Sequence, residues 1–251
     1  MGKTVKVTVV ISIFNGIRFL EDCIASIMPQ LKRYDEIICY DDGSSDESVS
    51  FLRSMNIKVY DKHSISSKFV LSSTGIQERI TRNYFEMISL AKNDIIVLAD
   101  QDDIWLPGKL DFIRLNPGNH LYIHDAVVIN ESGTVLFDSY MESIGGFKKS
   151  RIKNLIKNRF LGCTMAFNRN LILEMLPTEI INYMYHDQII GLLLLGSKVV
   201  YEKGPYLKYR RHDNAVTTSG FKSQSSLRQK LIHRLTVTKI ILRNVKSIAR
   251  Q

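Results

Sequence analysis

Ile95-Ile96-Val97-Leu98-Ala99-Asp100-Gln101-Asp102-Asp103-Ile104-Trp105 is the stretch on which the fold turns. Its leading aliphatics form an unbroken apolar run, the pattern of a buried strand. The run ends in three carboxylates within four residues. A buried strand that stops at Asp-x-Asp-Asp sets anionic oxygens at the carboxyl edge of a sheet, where open α/β sheets bind ligands. Carboxylates this close repel one another unless a cation or a donor-rich ligand lies between them. Oxygen donors of this kind suit Mg²⁺ or Mn²⁺. The plain alternative is a solvated acidic turn that caps the next helix.

Upstream, Lys6–Ile13 is a nearly continuous apolar strand ended by Phe14-Asn15-Gly16. Arg18–Leu31 has helical periodicity, with Pro29 near its end. A second strand, Asp35–Tyr40, stops at Asp41-Asp42-Gly43-Ser44-Ser45-Asp46. Ser44 or Ser45, with Asp46 and Glu47 in the first turn, is the expected cap of a helix that runs to about Met55, Asp46 itself reads as a capping residue, and a third strand follows at Ile57–Tyr60. Strand, helix, strand, helix, strand is one half of a doubly wound sheet. His63–Thr74 reads as a loop and Gly75–Leu90 as a helix. Downstream come a strand at His120–His124 and a hairpin, Ala126–Asn130 to Thr134–Phe137. Asp138–Lys157 is basic and lacks periodicity, as a mobile loop or a surface helix would. Gly162–Asn168 is strand-like, Asn170–Leu176 a short helix, Ile189–Leu195 an apolar helix opened by Tyr185-His186-Asp187-Gln188, and Lys198–Tyr201 a last short strand.

The chain has 251 residues and 45% hydrophobic content, enough for one sizeable core. Met1-Gly2-Lys3 leads straight into a strand pattern, with no apolar leader, and the longest apolar run is too short to span a bilayer. Three scattered cysteines argue against a disulfide framework or a zinc site and fit a reducing cytoplasm. The net charge of +9 is concentrated at the end: after Asp213 the chain is free of acidic residues but carries eight basic ones. The body is therefore nearly neutral, and no nucleic-acid partner is expected from its charge.

Two acidic strand ends in a parallel sheet project at one edge. The chain has neither G-x-G-x-x-G nor G-x-x-x-x-G-K-[ST], so phosphates are not cradled by a glycine loop. An acidic edge binds a nucleotide differently. One carboxylate accepts from a base N–H, another from ribose hydroxyls, and a third grips a divalent ion that neutralises the diphosphate. Arg82 is available for a phosphate.

These residues, taken in order, resemble the family 2 glycosyltransferases. Val9–Gly16 is similar to the family's opening strand, and Gln30, Glu36-Ile37-Ile38 and Asp41–Asp46 to its second signature. Arg82-Asn83 resembles its helix motif and Asp100-Gln101-Asp102 its DxD motif. Asp103–Leu110, Gly162–Met165 and His186-Asp187 resemble the rhamnosyltransferase-like subgroup of surface polysaccharide synthesis, which tolerates Gln101 where many members have a small residue. The likeness covers about residues 5–215.

It implies an α/β GT-A fold: a Rossmann-like, doubly wound, mixed but mainly parallel sheet. The nucleotide-sugar half would span about 1–105 and the acceptor half 106–215; outside the likeness, residues 216–251 read as a basic amphipathic tail. It places Phe14 and Asn15 against the donor nucleotide. Asp42 would accept from pyrimidine N3–H, and Arg82 would lie near the base or diphosphate. Asp100 would contact ribose, and Asp102 would ligate Mg²⁺ or Mn²⁺ with His212 as second ligand. Asp187 would be the catalytic base of an inverting transfer; its plain reading is a cap for the Gln188–Ile190 amides. His186 would orient Asp187 or bind acceptor. Trp105 offers a face for a sugar ring, or is core.

The implied enzyme moves a sugar from a UDP- or dTDP-sugar to a growing, lipid-linked glycan. It would work in the cytoplasm, at the inner face of the membrane. Two rivals are a nucleotidyltransferase, which lacks its glycine- and lysine-rich loop here, and a nucleotide-sugar or glycan-binding module without turnover. In the tail, Ser226–Ile248 shows aliphatics at helical spacing among lysines and arginines. Such a helix reads as membrane-surface association or as packing on the enzyme body or a twin subunit.

Overall fold

The computed structural model describes residues 5–71, 75–180, 185–212 and 227–244. The chain opens with β1 (Val7–Ile13), α1 (Ile17–Ile27), β2 (Glu36–Asp41), α2 (Ser48–Ser54) and β3 (Lys58–Tyr60). β1 is central and buried almost throughout, which explains its run of aliphatics without alternation. It pairs in parallel with β2 on one side, and β2 pairs in parallel with β3. α1 turns Leu20, Cys23, Ile24 and Ile27 inward. The expected helix to Leu31 stops at Ile27, because Pro29 tightens Met28–Gln30 into a 3-10 turn. α2 begins at Ser48, later than Ser44 or Ser45 would have started it. Asp46 is the residue that accepts from the Ser48 N–H, at 3.0 Å.

Next come β4 (Val70–Leu71), α3 (Ile76–Leu90), β5 (Ile95–Asp100), β6 (Ile104–Trp105), α4 (Lys109–Leu115), β7 (Leu121–Asn130) and β8 (Val135–Phe137). β5 is parallel to β1 and lies on its other side. The predicted strand and hairpin at 120–137 are one continuous strand, β7, with β8 folded back on its second half. The basic 138–157 stretch forms two short helices, α5 (Tyr140–Ser143) and α6 (Arg151–Ile156), capped by the hydroxyls of Ser139 and Ser150. Gly162–Thr164, expected as strand, is a 3-10 turn that leads into β9 (Met165–Asn168).

After α7 (Arg169–Leu173), β10 (Glu179–Ile180) pairs with β4, so the predicted loop at 63–74 contains a strand in a small second sheet. α8 (His186–Leu194) follows, then β11 (Val199–Arg211) and α9 (Leu227–Arg243). The last strand was expected at Lys198–Tyr201, short of Gly204-Pro205. The strand runs on to Arg211, absorbing Pro205 in register shifts against β7. That extension carries Tyr209, Arg210 and His212 to the edge where β1, β2 and β5 end.

The main sheet has the order β3-β2-β1-β5-β9-β7-β11-β6. Its first four strands and the β7–β11 pair are parallel, while β9 and β6 are antiparallel to their neighbours. Cys23, Cys39 and Cys163 are all buried and free. Among the described residues, no helix is long and apolar enough to cross a membrane. The tail helix α9 packs on α6 and α8, and its Val237 and Ile240 are buried.

Gly191 lets α8 pass close to Phe160: an added Cβ would lie 2.5 Å from that ring. Gly to Ala inside a helix normally stabilises by about 0.5–1 kcal/mol. Here overpacking wins, and Gly191→Ala is expected to lower the unfolding free energy by about 1–3 kcal/mol. Urea melting curves check this.

Candidate active site

β1 forms the floor of a cleft, with β2 and β5 on either side. Ser12 is paired with Asp100, and Ile13 with Asp41, so both acidic strand ends emerge at one edge. The turns there are tied together. Gln101 accepts from the Phe14 N–H at 2.9 Å and donates to the Phe14 carbonyl at 3.0 Å, closing a two-bond clasp between the ends of β1 and β5. Asn15, at φ 45°, accepts from the Ser45 N–H at 2.8 Å, and its own N–H donates to the Ser44 hydroxyl. The Asn15 side chain thus holds the β1 and β2 turns together. Phe14 is left half-exposed in the cleft.

The three carboxylates after β5 have separate partners. Asp100 accepts from the Tyr84 hydroxyl at 2.9 Å; burial and the neighbouring Asp102 push its carboxyl up to about 6. Asp102 lies 2.8 Å from His212 Nε2, and this hydrogen bond raises the imidazole pKa. His212 also packs against Phe19. Asp103 is buried and accepts from the Arg210 N–H at 2.9 Å; burial holds its carboxyl well above the usual range. Arg210 donates in turn to the carbonyls of Asp102 and Glu131.

Beneath this edge lies Lys109, almost wholly buried, with Nζ 2.6 Å from the Cys163 carbonyl. Burial lowers its pKa to about 8, while Asp103 and Asp100 oppose that shift. Its ammonium sits 4.0 Å from the centre of the Trp105 ring. Trp105 is 3% exposed and does not line the cleft, so the sugar-platform expectation is corrected: Trp105 is core, and a buried cation covers its face. Lys109 was missed in the sequence because a lysine in Pro-Gly-Lys reads as a surface residue.

Asp42 accepts from Arg79 Nε at 2.9 Å and lies 3.7 Å from Arg82. Arg82 therefore stands beside the carboxylate expected to meet the base. Its guanidinium is over the Tyr40 ring and donates to Asn83, while Arg79, three residues earlier on α3, lines the cleft. The opposite wall is the start of α8. His186 stacks on Tyr84 with ring centres 3.9 Å apart, and burial depresses its pKa to about 3, which keeps it neutral. Asp187 is not the helix cap; Tyr185 holds that position. Asp187 accepts from the Gln188 N–H at 2.6 Å and from the Gly162 amide. Burial outweighs these bonds and raises its carboxyl to about 7. Tyr84 links the two walls, and its helical spacing in the sequence suggested only core.

The cleft has a volume of about 320 Å³, and Phe14, Asp42, Arg79, Asp100, Asp102, His186 and Asp187 line it together. Two acidic groupings offer metal ligands. Asp100, Asp103 and Cys163 have ligand atoms within 4.8 Å of one another. However, Cys163 and Asp103 are fully buried, and burial pushes the thiol upward, so it keeps its proton. Asp102 with His212 fits Mn²⁺ or Mg²⁺ better, because the carboxylate faces the cleft.

A model of glycosyl transferase family 2 matches residues 8–174. An uncharacterized glycosyltransferase of a Nostoc species is 30% identical over 108 residues, 43% of this chain and 31% of that protein. The chain thus matches less than a third of that relative's length. S. aureus TarS 1–349 in complex with UDP-GlcNAc superposes with a TM-score of 0.58 at 11% identity, covering 96% of this chain and 72% of the other. Glucosyl-3-phosphoglycerate synthase from Mycobacterium tuberculosis, in complex with Mn²⁺, UDP-glucose and phosphoglyceric acid, gives 0.53 at 17% identity, covering 97% and 80%. These likenesses show the fold: the mixed, mainly parallel sheet is that of the GT-A enzymes.

Replacing Gln101 by Ala opens the clasp on Phe14. Each lost hydrogen bond is worth about 0.5–1.5 kcal/mol, so exchange of the Phe14 amide should quicken by roughly tenfold. Native-state hydrogen exchange reads this directly.

Proposed function

The chain belongs to glycosyl transferase family 2, and on that premise we propose that it is a metal-dependent, inverting transferase that uses a UDP- or dTDP-sugar. One observation carries the reading. A carboxyl raised to about 7 by burial, Asp187, faces the acidic strand ends Asp42, Asp100 and Asp102 across a single cleft. A general base works best when its pKa lies near the working pH.

In this reading the donor lies along the sheet edge. Phe14 packs on the base. Asp42 exchanges its bond with Arg79 for the pyrimidine N3–H, which frees Arg79 for a phosphate. Asp100, ordered by Tyr84, accepts from the ribose hydroxyls. Asp102 and His212 would hold a divalent ion, whose charge would offset that of the departing diphosphate. Asp187 removes the proton of an acceptor hydroxyl as that oxygen bonds to the anomeric carbon. The bond from that carbon to the diphosphate oxygen breaks on the opposite face, so the configuration inverts. His186, neutral and stacked on Tyr84, lines the acceptor side and orients the incoming hydroxyl.

The finer identity follows the resemblance of Asp103–Leu110 to the rhamnosyltransferase-like subgroup. The acceptor is then a growing, lipid-linked surface glycan, and the enzyme works in the cytoplasm at the inner membrane face. The tail helix α9 makes the membrane contact.

Asp187→Asn should lower turnover by about 10²–10⁴-fold and leave donor affinity unchanged; a binding module without turnover would have none to lose. Because the base must be unprotonated, the wild-type kcat/KM, which follows groups of the free enzyme, should rise with pH up to about 7 and level off above it. A donor-consumption assay across pH checks both expectations.

A further inference from the structure

Helix α9 has two apolar faces, and the enzyme body covers only one. Val237 and Ile240 are buried. Leu231, Leu235 and Leu242 are 57%, 55% and 64% exposed. Offsets of four and eleven residues bring these three leucines onto one stripe of a helix, on the side away from the docked pair. The neighbouring α6 repeats the arrangement. Its Ile152 and Ile156, four residues apart, are 72% and 63% exposed, while Asn154 is buried and Leu155 packs on the core. Arg234 of α9 donates to the Ile156 carbonyl at 3.0 Å and joins the two helices at their seam.

The charge on the two helices themselves has one sign. Between Glu142 and Glu174 the sequence has no acidic residue, and after Asp213 it has none. Lys149, Lys153, Lys157, Arg228, Lys239 and Arg243 are all exposed. Exposed aliphatics flanked by basic side chains complement a bilayer that carries negative charge: the side chains enter the headgroup–acyl boundary while the cations meet phosphates. A nucleic acid would favour exposed aromatic side chains for stacking, and neither helix contains Phe, Tyr or Trp.

We propose that the α6–α9 seam is a docking face for an anionic lipid surface, with Ile152 and Ile156 of α6 inserted beside Leu231, Leu235 and Leu242 of α9. It rests on the reading that α9 contacts the membrane. It adds α6 as the second half of the surface and fixes which side of α9 faces lipid.

The test uses the full chain and sedimentation with phosphatidylcholine vesicles, with and without phosphatidylglycerol. The double variants are Ile152→Glu with Ile156→Glu, and Leu231→Glu with Leu235→Glu. All four side chains are exposed, so the fold should survive. The wild type should bind the anionic vesicles, and each double variant should weaken that binding by about tenfold or more. If the α6 variant binds as the wild type does while the α9 variant fails, the composite face is overturned and the tail reading stands. If the wild type does not bind the anionic vesicles, both fall. An oligonucleotide bound more tightly than those vesicles, or a dimer that the variants dissociate, also overturns the proposal.

Discussion

Carboxylate repulsion at the end of β5 is the constraint on which the rest of the molecule depends. Three acids in four residues, largely withdrawn from water, stay together only if each finds its own partner. Tyr84 serves Asp100, His212 serves Asp102, and the Arg210 amide serves Asp103. Each partner requires a particular element. α3 must run alongside the sheet to present Tyr84, and β11 must continue past Pro205 to bring Arg210 and His212 across. Lys109 then sets a buried cation near the anionic edge. Its ammonium binds the Cys163 carbonyl, next to Gly162, whose amide holds Asp187. The donor edge and the proposed base are thereby joined through one turn.

Much of the fold was legible in the residues because its signals are local. The apolar runs at 7–13 and 95–100, the acidic stops after β2 and β5, and the 3.6-residue period of α3 each depend only on near neighbours. What failed was non-local. Gly204-Pro205 looks like a strand end, and only pairing with β7 carries β11 through it. Of the capping residues expected there, Asp46 and not Ser44 or Ser45 accepts at the start of α2, and it also receives the Ile17 N–H from the β1 turn.

The candidate site was read with the same strengths and gaps. Asp42, Asp100, Asp102, His186 and Asp187 converge on one cleft. Arg79 was missed because it lies one turn before Arg82 on α3; both reach Asp42, and only packing shows that Arg79 also lines the cleft. Trp105 was ambiguous by sequence, since an aromatic after an acidic turn suits a sugar or a core equally. The tail was ambiguous for a better reason: α9 has two apolar stripes, one against the body and one against solvent.

The central claim is that Asp102 and His212 complete a metal-dependent nucleotide site at the acidic edge. Calorimetric titration of UDP into the protein, with Mn²⁺ and then with EDTA, tests it most directly. The account predicts binding that is at least about tenfold tighter with Mn²⁺, and loss of that gain in Asp102→Ala. Equal affinity in EDTA, or a metal effect that survives Asp102→Ala, would contradict it.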